Sequence, residues 1–191
     1  MRLLLIGAPG AGKGTQALRL AEILGLTHIS SGDLLRQHVA AGTSLGKQVQ
    51  QYVQQGDLVP DEIVLDMLRK PVVSANESGG YILDGFPRTV DQAQRAYDVA
   101  KELGVAVQIA VHLDVPREEL VRRLLARSRG SEDSADVVEH RLEVYAEKTE
   151  PMITYYAERE QLIVLDGAQP PDDVTRNAVD RLAELRDRLT D

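Results

Sequence analysis

Residues 2–24 read RLLLIGAPGAGKGTQALRLAEIL: an apolar run, a glycine-rich turn and a segment of helical periodicity. Glycines let such a turn bend until several backbone N–H groups point at one anion, and the N-terminus of the next helix adds partial positive charge. Lys13 then supplies a full charge for terminal phosphates. The strict pattern has Ser or Thr directly after the lysine, whereas here Gly14 follows and Thr15 comes next. The stretch predicts a strand, a phosphate-binding loop and a helix; the alternative is a glycine-rich turn that binds nothing.

Short apolar runs and longer helical segments alternate along the rest of the chain. The apolar runs are 3–6, 27–30, 81–83, 107–113 and 162–165, and the helical segments include 15–24, 89–103, 117–127 and 136–158. A last helix follows Pro170 and Pro171, with apolar residues at intervals of three or four. Runs that are apolar throughout are typical of parallel strands covered on both faces. The fold class is therefore predicted to be α/β, a three-layer P-loop sandwich around a five-stranded parallel sheet.

Two polar intervals interrupt this alternation. Residues 31–71 contain two or three short helices, bounded by Gly42, Gly46, Gly56 and Pro60, and no strand. Residues 128–134 form a short loop. We interpret both as insertions in one domain spanning 1–191. The predicted parts are a core of 1–29, 60–127 and 139–191, a helical insertion of 30–59 and a lid of 128–138.

Composition limits the classes of function. The chain has 191 residues, 43% of them apolar and 27% charged, as expected for one globular domain. Its net charge of −8 argues against binding to nucleic acid or anionic membranes. No apolar run approaches the roughly 20 residues that span a bilayer, and the opening run is too short for a signal peptide. The absence of cysteine excludes disulfides and agrees with a cytoplasmic location. We also expect a monomer, because no long apolar stripe remains beyond the core.

Four motifs together resemble the nucleoside monophosphate kinases, and most closely the adenylate kinases with a short lid. The motifs are GAGKGTQ at 10–16, SSGDLLR at 30–36, GDLVP at 56–60 and DGFPRTVDQ at 84–92. The resemblance covers nearly the whole chain. It implies Mg²⁺-dependent transfer of the γ-phosphoryl group of ATP to AMP, giving two ADP, with those nucleotides as the partners. Such a site needs cations and water exclusion more than covalent chemistry.

The resemblance implies two sets of nucleotide-binding residues. The ATP set is Gly10, Ala11, Gly12, Lys13, Gly14, Thr15, Arg123, Arg127 and Gln169. The AMP set is Ser31, Arg36, Asp57, Leu58, Val59, Gly85, Phe86, Pro87, Arg88, Gln92, Arg129 and Arg141. In the family, Arg123 stacks on adenine, Arg127 holds the ATP phosphates, and Gln169 contacts adenine only through its main chain. Each arginine also has an ordinary alternative as a surface side chain.

Two residues bear on the choice of base. Adenylate kinases have Gln at the position of Gln92, where the amide reads a purine edge, whereas pyrimidine kinases typically have Asn. Ser31 keeps a hydroxyl where adenylate kinases usually have Thr and pyrimidine kinases tend to have Ala. Arg36 and Arg88 hold the AMP phosphate in the family, and a guanidinium can do this bidentately.

The resemblance also implies catalytic and metal-binding roles. Lys13, Arg88, Arg127, Arg129 and Arg141 would act as positioning and electrostatic groups, with no covalent nucleophile. Asp84 would orient Mg²⁺ through water, with Thr15 and Asp33 as further candidates; an N-cap is the alternative for Asp33. A zinc-bearing lid is excluded because the chain has no cysteine. The histidines are scattered without metal-ligand spacing, so we interpret them as structural or surface residues.

Two other functions stay open at this point. A UMP/CMP kinase would share the phosphate loop and the arginines, but Ser31 and Gln92 disfavour it. A P-loop switch that binds a nucleotide without catalysis is the rival from another class. A guanine-reading Asn-Lys-x-Asp motif would favour the switch, and the chain has none.

Overall fold

The computed structural model of the chain describes residues 1–127, 134–159 and 161–190, with side chains for all of these except 127 and 186–190. Its strands form one parallel sheet in the order β2-β3-β1-β4-β5. They are β1 (Arg2–Ile6), β2 (Thr27–Ser30), β3 (Tyr81–Asp84), β4 (Ile109–Asp114) and β5 (Leu162–Asp166). The predicted fold class is confirmed. Among the described helices, none is long and apolar enough to cross a membrane.

Helices connect the strands on both sides of the sheet. They are α1 (Lys13–Leu24), α2 (Ser31–Ala40), α3 (Ser44–Gln55), α4 (Asp61–Glu77), α5 (Val90–Glu102), α6 (Arg117–Arg127), α7 (Ala135–Val144), α8 (Pro151–Ala157) and α9 (Pro171–Thr190). The helices α2 and α3 lie within the interval proposed as an insertion. Most of the proposed lid, 128–138, lies outside the described residues.

The side chains of the central strand β1 show that helices cover both faces of the sheet. Leu3 and Leu5 pack on one face against α1, α6 and α9, while Leu4 and Ile6 pack on the other against α4, α5 and α8. All four side chains are at most 3% exposed. Burying each stabilises the fold by roughly 1.5–3 kcal/mol, which accounts for a strand that is apolar throughout rather than alternating.

The expectation of one continuous α-helix over 136–158 is wrong. The structure has α7, then a π-helical turn over Tyr145–Thr149, then α8. Pro151 cannot donate a backbone hydrogen bond, so the regular i to i−4 pattern cannot continue through it. Instead the N–H of Glu150 donates to the carbonyl of Tyr145 at 2.9 Å, five residues back.

Two expected bounds are also wrong, one of a helix and one of the polar helical interval 31–71. Gly46 lies inside α3, where a Cβ would stand 2.0 Å from the carbonyl oxygen of His38, so this glycine allows α2 and α3 to pack closely. Pro71, at the end of the interval 31–71, lies inside α4. The helix continues past it because the apolar side chains of Leu68 and Ala75 are anchored in the core on either side.

Candidate active site

The phosphate loop connects β1 to α1 at the carboxyl edge of the sheet, where open α/β folds bind ligands. Gly10 and Gly12 have φ of 85° and 96°, a left-handed conformation that other residues rarely adopt. At Gly10 a Cβ would also stand 3.1 Å from the carbonyl oxygen of Leu120. The loop is therefore held close to α6, and α1 begins directly after it with its N-terminal N–H groups at the same edge.

Lys13 lies folded across this loop. Its Nζ donates hydrogen bonds to the carbonyl oxygens of Gly7 at 2.8 Å and Ala8 at 3.0 Å. Both acceptors belong to the loop itself, so the position of the ammonium group is set by nearby backbone. The arrangement places one full positive charge at the mouth of the turn.

The loop opens into a cavity of about 940 Å³, which we call the larger cavity. Most of the predicted ATP-binding residues line it: Gly10, Ala11, Gly12, Lys13, Gly14, Thr15, Arg123 and Gln169. The side chain of Arg127 lies outside the described residues. The structure therefore brings together residues from the loop, α6 and the connection after β5.

Arg123 is fixed at the wall of the larger cavity by two bonds. Its Nη1 donates to the carbonyl oxygen of Gly167 at 3.0 Å, and its Nε donates to Oε1 of Glu119 at 2.6 Å. Hydrogen bonds from Arg122 and Arg123 lower the pKa of Glu119 to about 2. Glu119 was missed by the sequence analysis, although its spacing of four residues from Arg123 on one helix face is a usable signal.

The side chain of Gln169 is engaged with neighbours rather than directed to a ligand. Its Nε2 donates to Asp166 at 3.2 Å, and its Oε1 accepts from Asn177 at 3.1 Å. This leaves the main chain of the connection after β5 as the part of Gln169 suited to a nucleotide contact.

A smaller cavity of about 60 Å³ adjoins the larger one. It is lined by these residues of the predicted AMP set: Ser31, Arg36, Asp57, Leu58, Val59, Gly85, Phe86, Arg88, Gln92 and Arg141. Pro87 lines the larger cavity instead, and Arg129 lies outside the described residues. Three arginines, Arg36, Arg88 and Arg141, line both cavities.

Local contacts position these shared arginines. The Nε of Arg88 donates to the carbonyl oxygen of Gly85 at 2.7 Å, and Nη2 of Arg36 donates to Oδ1 of Asp33 at 2.5 Å. Arg141 reaches the cavities from α7 and packs against Gly56, where a Cβ would stand 2.6 Å from its Cγ. Three separate elements thus bring guanidinium groups to the junction of the cavities.

Gln92 lies in the first turn of α5, which Thr89 caps by accepting a hydrogen bond from the Gln92 N–H at 3.1 Å. Its side chain is 3% exposed. The amide Oε1 accepts from the Arg88 N–H at 2.7 Å, and Nε2 donates to Oδ1 of Asp61 at 2.6 Å. Asp61 was missed by the sequence analysis, because 31 residues separate it from Gln92 and no spacing rule connects them.

Oxygen donors suited to a divalent cation lie beside the phosphate loop. Asp84 ends β3 and is 9% exposed, and it lines the larger cavity with Thr15 and Asp33. Ser30 caps α2 through a 3.2 Å bond from the Asp33 N–H, so the cap is not Asp33. Among the described residues no group of three or more His, Cys, Asp or Glu could hold a metal alone. The donor set fits Mg²⁺ held mainly by nucleotide phosphates and water.

His112 lies on β4 and is 7% exposed. Its Nε2 is 3.3 Å from the hydroxyl of Tyr145, and its Nδ1 has no hydrogen-bond partner. Burial lowers the pKa of His112, Lys13 lowers it further, and Asp114 and Glu150 oppose the shift. The imidazole is therefore neutral at pH 7 and adds no charge near the phosphate loop.

Known proteins of one family are similar to most of the chain. A family model described as "Adenylate kinase" matches residues 5–161. The chain is 45% identical over 175 residues to "Adenylate kinase 1" of Synechocystis sp., covering 92% of this chain and 93% of that protein. It is 46% identical over 175 residues to "Adenylate kinase" of Thermus thermophilus, covering 90% and 91%. It is 42% identical over 185 residues to "Adenylate kinase" of Thermobifida fusca, covering 95% and 98%.

Proposed function

The chain belongs to the adenylate kinase family, and we propose how each of its two cavities serves the reaction of that family. It is an enzyme that transfers a phosphoryl group reversibly from ATP to AMP, giving two ADP. The observation that carries the proposal is that Arg36, Arg88 and Arg141 line both cavities. Two phosphorylated ligands, one in each cavity, would meet at these three cations.

We place ATP in the larger cavity. Its β- and γ-phosphates lie against the N–H groups of the phosphate loop and of the first turn of α1, and Lys13 exchanges its carbonyl partners for phosphate oxygens. The adenine lies between Arg123 and the main chain at Gln169. The bonds from Arg123 to Glu119 and Gly167 support this placement, because they keep the guanidinium plane fixed without the nucleotide.

We place AMP at the smaller cavity, with its phosphate toward the junction. Arg36 and Arg88 bind that phosphate, and the base lies beside Ser31 and Gln92. The volume of about 60 Å³ is too small for a whole nucleotide, so we expect AMP to extend into the larger cavity or the α2–α3 region to move outward.

The chemistry needs no protein nucleophile. An oxygen of the AMP phosphate attacks the γ-phosphorus of ATP in line, and the bond from that phosphorus to the β,γ-bridging oxygen breaks. Lys13, Arg88 and Arg141 stabilise the charge on the transferring group. Arg127 and Arg129 are predicted to do the same from positions outside the described side chains.

Mg²⁺ would be held by the nucleotide phosphates, by the Thr15 hydroxyl and, through water, by Asp84 and Asp33. When bound, the ion neutralises phosphate charge. Asp84 suits this role because its carboxylate ends a strand next to the phosphate loop and is nearly buried, so its position is fixed.

We also propose that the protein acts as a monomer in the cytoplasm. Both cavities are lined by residues of one chain, so the site is complete without a second copy. Light scattering coupled to gel filtration at assay concentrations would give about 21.0 kDa for a monomer. A mass near twice that value would contradict the proposal.

The decisive experiment for the nucleotide assignment is a coupled assay with ATP and each monophosphate in turn. We expect AMP to exceed CMP and UMP by at least about a hundredfold in kcat/KM, since two base contacts are lost with a pyrimidine and each is worth about 1–3 kcal/mol. Comparable values for CMP and AMP would favour the pyrimidine kinase. Binding of ATP without transfer to any monophosphate would favour the switch.

A further inference from the structure

We propose that Asp61 fixes the orientation of the Gln92 amide and thereby selects a 6-aminopurine over a 6-oxopurine in the monophosphate site. The proposal rests on the proposed placement of AMP beside Gln92. It adds a specificity-determining residue that does not itself contact the nucleotide. Asp61 is a positioning residue that acts through the side chain it holds.

The bonds at Gln92 permit one orientation of its amide. On one side is the carboxylate of Asp61, which only accepts, 2.6 Å from Nε2. On the other side is the backbone N–H of Arg88, which only donates, with its nitrogen 2.7 Å from Oε1. Turning the amide by 180° would place oxygen against carboxylate and NH₂ against N–H, so both bonds would be lost together.

The surroundings of this pair make such a loss costly. Gln92 is 3% exposed, so solvent cannot replace a missing partner. Asp61 is the first residue of α4, where the helix dipole favours a negative charge, and Nη1 of Arg95 lies 3.9 Å from its other carboxylate oxygen. The bond from Gln92 to Asp61 is thus charge-assisted, the stronger class of hydrogen bond.

A fixed amide gives the base a fixed pattern to match. After the bonds to Asp61 and Arg88, Gln92 retains one N–H and one oxygen lone pair, a donor beside an acceptor. The edge of adenine offers N1 as acceptor and the 6-amino group as donor, which complements that pattern. Hypoxanthine offers N1–H as donor and O6 as acceptor. Unless the amide turned over, a donor would then face a donor and an acceptor would face an acceptor.

The test measures kcat/KM for AMP and for IMP at saturating ATP and Mg²⁺. In Asp61→Asn the side chain can present either oxygen or NH₂ to Gln92, so turning the amide over costs only the bond from the Arg88 N–H rather than both bonds. Asp61→Ser is the second variant, because a serine hydroxyl also donates or accepts and is well tolerated at a helix N-terminus. Glu62→Gln is the matched control, since it removes an exposed carboxylate from the same turn of α4.

We expect the wild type to prefer AMP over IMP by at least about a hundredfold, because two hydrogen bonds are mismatched. The ratio should fall by about tenfold or more in Asp61→Asn and Asp61→Ser and stay at the wild-type value in Glu62→Gln. A change that lowered AMP and IMP equally would show a structural role and overturn the proposal. A failure of the proposed AMP placement is distinguishable, since it would already appear in the wild type as no preference for AMP.

Discussion

The two cavities of the site are built in different ways; we call the larger one the ATP side and the smaller one the AMP side. On the ATP side, the phosphate loop is one continuous stretch, and the Lys13 ammonium is held by carbonyls only five and six residues away. On the AMP side, Ser31, Arg88 and Gln92 come from different elements, and the Gln92 amide is held across 31 residues by Asp61. Local backbone geometry forms the ATP side, whereas packing between helices forms the AMP side.

This difference indicates where phosphate binding and base specificity can be changed independently. Phosphates are common to all the substrates, so a contiguous loop of N–H groups serves any nucleoside triphosphate. The base is what distinguishes the monophosphates, and we propose that it is read by the buried Gln92 amide, whose direction depends on its neighbours. We therefore expect changes in the phosphate loop to alter the rate with every monophosphate, and changes beside the base to alter the choice of substrate.

We expect the largest change in activity from a substitution in the phosphate loop. Lys13→Met should lower kcat by about a hundredfold or more with the fold retained, because one positioned electrostatic group is worth about 3–4 kcal/mol of barrier. Steady-state kinetics and circular dichroism check the two parts. Lys70→Met removes an exposed lysine of α4 and should leave kcat unchanged. A folded Lys13→Met enzyme with wild-type turnover would disprove the role of Lys13.

Arg88→Lys tests whether the AMP side depends on geometry or only on charge. Lysine keeps the charge but loses the bidentate fork and the bond to the Gly85 carbonyl. We expect kcat/KM for AMP to fall about 10- to 100-fold, while the dissociation constant of ATP, measured by calorimetry, stays within about twofold. Arg176→Lys, on a side chain 67% exposed, is the matched control. Equal losses for ATP and AMP would contradict the separation of the two sides.

The double variant Ser31→Ala with Gln92→Asn should reduce the AMP:CMP ratio of kcat/KM by about tenfold, mainly by weakening AMP. The KM for ATP should not change, since neither residue is in the ATP set. Ser44→Ala with Gln54→Asn makes the same chemical change on the exposed surface of α3 and should keep the wild-type ratio. An unchanged ratio in the first variant would mean that base choice is made elsewhere.

We expect the smallest change in activity from Glu119→Gln, which tests the α6 wall of the ATP side. It weakens the hold on Arg123, so the KM for ATP should rise about two- to fivefold with kcat nearly unchanged, as expected for a partly exposed ion pair. Glu139→Gln, which breaks the pair with Arg117, should leave the KM for ATP unchanged. A fall in kcat with constant KM would place Glu119 in the chemical step instead.

The same substitution has a defined pH dependence. The pKa of Glu119 is about 2 in the folded protein, below its ordinary 4.5, so the ionised group stabilises the fold above pH 4.5. That contribution is lost as the pH falls from 4.5 toward 2. The gap between wild type and Glu119→Gln in free energy of unfolding, measured with urea, should therefore be smaller at pH 3.5 than at pH 6. A gap that widened at pH 3.5 would contradict this assignment.

Much of the fold could be predicted because its signals are local. The strands around Leu4 and Ile82 are short apolar runs, and the parallel sheet follows from runs without polar alternation. The misjudged parts share a cause. Gly46 and Pro71 disrupt helices by intrinsic preference, yet packing keeps both inside helices, and the π-helical turn before Pro151 arises from a hydrogen bond that proline cannot donate.

The candidate site likewise has parts that depend on local sequence and parts that depend on packing. The phosphate loop could be predicted from the sequence alone, because the φ angles of Gly10 and Gly12 and the helix that follows are local properties. The sequence also suggested Arg36, Arg88 and Gln92 through a resemblance, but not how they are held. The folded structure was needed to show that Asp61 and the Arg88 N–H hold the Gln92 amide and that three arginines line both cavities. Such contacts join residues far apart in the chain, and their strength depends on burial and direction, which no spacing rule encodes.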